Sequence, residues 1–265
     1  MAVNSEKIEL LGKGLYDDIP NVLTLQSIPT ASELELVSAE DFEATMLDSI
    51  LPQAVQEKID FRKLLEIDFH WICRALRILN YGPYFTTNVL FCSDCGESSH
   101  GEFNVDLRTI DCNPLPDKFI NDVVVSKDEF IDFNEDIHIK LLTIQEMLNA
   151  DKDESFTLNG KHNRSFARLC YSITSVGTKK DINPVEAKIL LSQRLSDADY
   201  KILKNKAAEL TDFGLRAAGT TICPKCHKPH AAFLALVDDK FFRPTMGDLR
   251  KWRDDRRAGG DKKSA

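Results

Sequence analysis

Cys92-Ser93-Asp94-Cys95-Gly96 is answered much later in the chain by Cys223-Pro224-Lys225-Cys226-His227, the same Cys-x-x-Cys spacing in a second short turn. A turn of this spacing presents two thiolates side by side with backbone N–H groups directed at their sulfurs, and two such turns complete the tetrahedron that zinc prefers. One pair alone is weak grounds for a metal. Two matched pairs, each between short strand patterns, are strong grounds. The spacing therefore predicts one structural Zn2+ held by Cys92, Cys95, Cys223 and Cys226. Four protein ligands leave no open position for water or substrate, so such a metal serves to hold distant segments together. The long separation is tolerable, because loop closure costs only about 0.6 kcal/mol more per doubling of length and a folded insertion lowers that further.

Working outward, Asn88 to Phe91 and Glu102 to Leu107 read as strands around the first turn, the latter with Phe103, Val105 and Leu107 on one face. Thr220 to Ile222 and Ala232 to Val237 repeat that pattern around the second turn. Upstream, Leu64, Ile67, Trp71, Ala75 and Ile78 form one helical stripe, and Leu65, Phe69, Ile72, Leu76 and Leu79 form another beside it. Phe61 to Asn80 is thus predicted as a helix buried on most sides, with a polar strip of Glu66, His70, Arg74 and Arg77 and a Gly82-Pro83 stop. Ser38 and Asp41, followed by Phe42, Met46 and Leu47, predict a short capped helix ending near Pro52. Between the knuckles, Asn183-Pro184-x-Glu186 and Ser196-x-x-Asp199 are helix starts, and the second helix carries Tyr200, Leu203, Ala207 and Leu210. The expected fold class is α+β, with a zinc-ribbon-like β unit built from two distant knuckles. Residues 1–37 are expected as an extended N-terminal arm, 38–87 as a helical region packed on the ribbon, and 88–112 with 218–246 as the ribbon halves. Residues 113–217 are the mainly helical insertion and 247–265 a basic C-terminal tail.

Composition narrows the function. A chain of 265 residues with 43% hydrophobic and 29% charged residues buries a sizeable core as one large domain or two modest ones. Its start lacks the pattern of a secretory signal, and no apolar run approaches membrane-spanning length, which points to a reducing cytoplasm. Seven cysteines there are metal ligands or buried thiols, and Cys73, Cys112 and Cys170 are expected in the core. A net charge of -8 opposes binding to a polyanion, although the basic residues from Lys240 onward leave room for a local anionic partner.

Other chemistries of the cysteines weigh less. Cys223-Pro224-Lys225-Cys226-His227 also spells a c-type haem attachment signature, but it stands without an export signal and beside a matching knuckle that lacks the His. Cys-Pro-x-Cys is also a redox pair, yet that chemistry wants the motif at a helix N-terminus, whereas a strand pattern follows here. His100, His227 and His230 are alternative ligands, with solvent-facing turn positions as the simpler reading. His70 reads as a hydrogen-bonded core or interface residue. Neither a phosphate-binding Gly-rich loop, nor a Gly-x-Ser-x-Gly elbow, nor His-Glu-x-x-His occurs, so no enzyme class and no small-molecule substrate is indicated.

Asp68-x-x-Trp71 leading to Arg77 and Tyr81-Gly82, the first knuckle, Val105-Asp106-Leu107, the second knuckle and Phe241-Phe242-Arg243-Pro244 occur in this order between Asp60 and Pro244. Together these motifs resemble T4-type bacteriophage baseplate proteins, in particular the hub or hub-assembly members. His227, where a second knuckle often has Gly, and the basic stretch after Pro244 depart from that pattern. The resemblance implies a non-enzymatic structural or assembly role in a contractile tail, in the virion or in the host cytoplasm during assembly. It implies other tail and baseplate hub proteins as partners, with no specific nucleic acid and no membrane. The runner-up is a zinc-ribbon nucleic-acid-binding or regulatory protein, with the helices at Pro184 and Ser196 as a helix-turn-helix and the basic tail on phosphate.

Overall fold

A computed structural model describes residues 5–87, 90–91, 94–95, 98–99, 103–158, 160–215, 218–223, 225–233 and 239–260. The fold is α+β, with small antiparallel sheets set among helices. The N-terminal segment is no extended arm. β1 (Ser5–Glu9) and β2 (Val22–Gln26) pair as an antiparallel hairpin, followed by α1 (Thr30–Val37). Ile8, Leu23 and Leu25 turn inward from this hairpin into a core, which the sparse apolar residues before Leu15 did not signal.

Asp41 caps the next helix, its carboxylate accepting the Ala44 N–H. That helix runs as α2 (Phe42–Thr45), one π turn over Met46–Ile50, and α3 (Leu51–Ala54). The π turn lies just before Pro52, whose ring and missing N–H disturb an α-helical ladder. α4 (Glu66–Tyr81) is the central element and ends at Gly82, which takes the left-handed φ of 81° and donates to the Ile78 carbonyl at 2.9 Å. Phe69, Ile72, Cys73 and Leu76 of α4 enter the core shared with the N-terminal hairpin, whereas Leu65 and Ile67 enter a second core formed with the insertion.

The chain then rises through β3 (Tyr84–Thr87) and β4 (Leu90–Phe91), and returns through β5 (Ser98–Ser99) and β6 (Phe103–Asp106). β3 pairs with β6 and β4 with β5, so this hairpin begins at Tyr84 rather than at residue 88. β7 (Cys112–Asn113) leads into the insertion, which holds β8 (Val123–Val125), β9 (Ile137–Ile139), α5 (Ile144–Lys152), β10 (Thr157–Leu158), β11 (Lys161–His162) and α6 (Arg164–Ser172). It continues through β12 (Ile173–Val176), β13 (Lys179–Lys180), α7 (Pro184–Gln193) and α8 (Asp197–Thr211). The capped starts at Asn183 and Ser196 are where the sequence places them, the first as a full capping box with Glu186. A four-stranded sheet ordered β13-β12-β9-β8 also lies within the insertion. β14 (Gly214–Leu215) pairs with β7, so the chain leaves and re-enters the main body at adjacent strands.

The last part comprises β15 (Ala218–Ile222), β16 (Pro229–Phe233) and α9 (Met246–Gly260). The strand pattern at Ala232 to Val237 begins earlier, within Pro229–Phe233, and residues 234–238 lie outside the described residues. Phe241 and Phe242 are buried in the first core. The basic tail is instead largely helix. Its Asp248 is buried against Arg77, and Trp252 lies against Gly82, where an added Cβ would stand 2.3 Å from Trp252 Cγ. Arg77 does not belong to a polar strip either: it is fully buried, donating from Nε to the Phe241 carbonyl, from Nη1 to Gly82 and from Nη2 to Tyr84 at 2.7–3.0 Å. Among the described residues, no helix is long and apolar enough to cross a membrane.

Candidate metal centre

The second knuckle occupies the turn between β15 and β16, whose last pair is Ile222 with Pro229. Two backbone hydrogen bonds close it: Cys223 N–H donates to the Lys228 carbonyl and His227 N–H to the Cys223 carbonyl, each at 2.9 Å. His227 takes a φ of 56°, the left-handed conformation that favours glycine. Its presence after the second cysteine departs from the common Gly in residue type while keeping the same backbone turn. The exposed ring of His227 stands on that turn.

Six residues likewise separate β4 from β5. Phe91 pairs with Ser98 there as Ile222 pairs with Pro229 here, so residues 92–97 correspond to residues 223–228, with cysteines at the same two loop positions. These turns meet. Cys95, Cys223 and Cys226 place their sulfurs within 4.8 Å of one another, and Cys95 Sγ lies 3.9 Å from Cys223 Sγ although the two residues are 128 positions apart. Cys92 lies outside the described residues, as does His100.

Two magnitudes interpret the sulfur spacing. A disulfide requires about 2.05 Å. Two thiolates on one tetrahedral zinc, each at about 2.3 Å, are separated by about 3.8 Å. The 3.9 Å separation fits shared coordination and excludes a bond between these sulfurs. Cys223 is buried while Cys95 and Cys226 are partly exposed, so the cluster lies at the surface end of the two hairpins. Lys228 and Asp94 form a 3.5 Å ion pair between the turns, close enough to keep them in register and exposed enough to add little energy. The donor set fits a soft or borderline metal, and three thiols bound to the protein at this spacing could hold one.

The other cysteines differ in kind. Cys73 and Cys170 are buried, and burial pushes both thiols up, Cys170 to about 12, which keeps them protonated and unreactive. Cys112 is half-buried, and burial raises its thiol too, against the opposing pull of Arg74. His70 departs from its sequence reading: it lines a cavity, and its ring nitrogens meet no hydrogen-bond partner among the described residues. Sequence reasoning also missed the buried carboxylates. Asp68 accepts from the N–H groups of Leu11 and Gly12 and from the Tyr16 hydroxyl, and Asp199 accepts from the N–H groups of Ile131, Asp132 and Phe133. An Asp three residues after Ser196 signals a cap, but nothing local announces the distant loop that the same carboxylate ties down. Comparison with protein-family models, with curated proteins and with solved structures finds no match to this chain.

Proposed function

We propose that this chain is a non-enzymatic structural or assembly protein fastened by a structural zinc, in a zinc-ribbon-like pairing of two Cys-x-x-Cys knuckles. The observation that carries the reading is the meeting of Cys95 with Cys223 and Cys226 at coordination spacing across 128 positions of chain. Cys92 is the fourth ligand in this reading, since it follows Phe91 in sequence as Cys223 follows Ile222. A closed thiolate shell around zinc supplies no redox step and no site for substrate; it supplies a rigid crosslink between two hairpins. Such a crosslink suits a part that must keep its shape while neighbours are added.

The ordered motifs that resemble baseplate proteins support a place in the central baseplate of a contractile phage tail, with other tail and hub proteins as partners. Several of those motif residues serve one physical purpose. Asp68 ties α4 to the N-terminal segment, and Arg77 and Gly82 tie it to the segment carrying Phe241 and α9. A motif spent on internal ties describes a scaffold rather than a catalyst. Since Phe241 and Phe242 are packed inward, contacts with partners fall to other surfaces. In this reading the protein works in the virion or in the host cytoplasm during assembly, and binds no specific nucleic acid.

Deleting the gene is expected to give heads without completed tails, and the protein is expected to co-purify with baseplate subunits or assembly intermediates. Normal infectious tails from the deletion would overturn the proposal. Sequence-specific DNA or RNA binding, at least ~1000-fold over competitor, would replace it with the regulatory reading.

A further inference from the structure

The seam between α4 and the insertion does not close completely. A cavity of about 490 Å³ lies between α4, the loop after β9, α6 and α8, within the size range of small-molecule sites. Its apolar walls include Leu65, Ile67, Leu141, Leu169, Leu210 and Phe213. α8 contributes a stripe at helical spacing, Tyr200, Lys204, Ala207 or Ala208, and Thr211, whose two alanines leave the room that larger side chains would fill.

The charged groups on these walls differ in what they already hold. Arg168 is committed to Asp151 at 2.7 Å and to Glu66 at 3.2 Å, and Lys140 is committed to Glu146. Lys204 forms no ion pair among the described residues, and the His70 ring, also on the wall, has no hydrogen-bond partner among them. Burial holds His70 below the usual histidine range, with Glu66 and Arg168 pulling in opposite directions, so the neutral ring offers one donor and one acceptor. The walls therefore combine a long apolar surface, one uncommitted cation and one uncommitted ring, with Glu66, the one carboxylate of the lining, already paired to Arg168. An occupant with a hydrocarbon body and an anionic head suits the apolar walls and the unpaired lysine; a cationic amphiphile suits the walls but is repelled by that lysine.

We propose that this cavity is a binding site for a small amphipathic carboxylate, a medium-chain fatty acid in chemical class, with its chain on the apolar walls and its head drawn to Lys204. The site is separate from the cysteine cluster and does not depend on the metal.

Calorimetric titration of the full zinc-loaded chain tests this with decanoate, decyltrimethylammonium and acetate, each below its micellar concentration. Decanoate is expected to bind saturably at one site per chain, decyltrimethylammonium at least about fivefold more weakly, and acetate not measurably. Lys204→Met, at an exposed position where folding is not at stake, is expected to weaken decanoate about fivefold and leave decanol unchanged. Ala207→Phe, which fills the cavity, is expected to abolish binding of both. Absence of saturable decanoate binding, equal binding of the cationic amphiphile, or a Lys204→Met variant that binds decanoate as the parent does would each overturn the proposal.

Discussion

Arg77 shows what one side chain does at the centre of this molecule. Its guanidinium is withdrawn from water and spends its donors on the carbonyls of Phe241, Gly82 and Tyr84, with Asp248 Oδ2 at 3.7 Å. Burial lowers its pKa to about 10, opposed by the neighbouring Asp248, so it stays charged at neutral pH. Arg77→Met removes the donor to those three carbonyls and the cation beside buried Asp248, which keeps only its hydrogen bonds from the Thr86 hydroxyl and the Thr245 N–H, and is expected to cost about 3–5 kcal/mol in urea unfolding. A loss under about 1 kcal/mol would show that the tie is incidental. Arg77→Lys should fall between, because an ammonium is a point charge and lacks the planar spread of donors.

Asp199 makes a pH-dependent tie of the opposite charge. Burial pushes its carboxyl up, but the Ile131 N–H, the Ser196 hydroxyl and the N–H groups of Asp132 and Phe133 pull it down further, leaving the net pKa below the usual value. A depressed carboxylate contributes stability that is present above the unfolded value and is lost as pH falls through the folded one. Acid titration of the wild type should therefore loosen the loop at Ile131 to Phe133. In Asp199→Asn that acid limb should flatten, as read by hydrogen exchange at the three amides between neutral pH and pH 3. An unchanged limb would assign the acid sensitivity elsewhere.

Among elements, the junction of α4 with α9 is the most constrained. Gly82 combines a φ of 81° with direct contact to the Trp252 ring, so a methyl group there has neither a permitted backbone nor space. Gly82→Ala is expected to lift α9 off β3, shifting Trp252 fluorescence toward that of exposed tryptophan and releasing protection along residues 246–260. Retention of the native emission spectrum would contradict this packing. Such elements also mark how far the sequence could be read. The α4 stripes and the starts at Asn183 and Ser196 were legible, because periodicity and capping are local properties. The sheet β13-β12-β9-β8 was not: its strands are short, Lys179-Lys180 carries no apolar signal, and their pairing is set across the insertion. Arg77 lies at helical spacing from Arg74 and His70 and so looks like a solvated face; only the return of Phe241, 164 residues later, makes it core. The cysteine spacing identified the candidate centre before any fold, because two matched turns have a joint purpose that periodicity does not supply, while the cavity beside His70 arises from long-range packing with no local pattern.

At the scale of the molecule, two cores share α4, and among the described residues a separate small cluster of Cys95, Cys223 and Cys226 joins the two cysteine-bearing hairpins. In the proposed reading a metal fastens these hairpins, and its loss should be felt as unfolding of the hairpins more than of α4. Cys223→Ser should accordingly destabilise more than Cys73→Ser, which trades a buried thiol for a hydroxyl but touches no ligand. The most direct measurement is the zinc content of the purified full chain by mass spectrometry with elemental detection, paired with thiol labelling before and after a chelator. One zinc per chain is expected, with Cys92, Cys95, Cys223 and Cys226 protected until the metal is stripped, and with thermal stability falling as it leaves. A folded, zinc-free chain whose cysteine pairs label freely would contradict the structural-zinc reading.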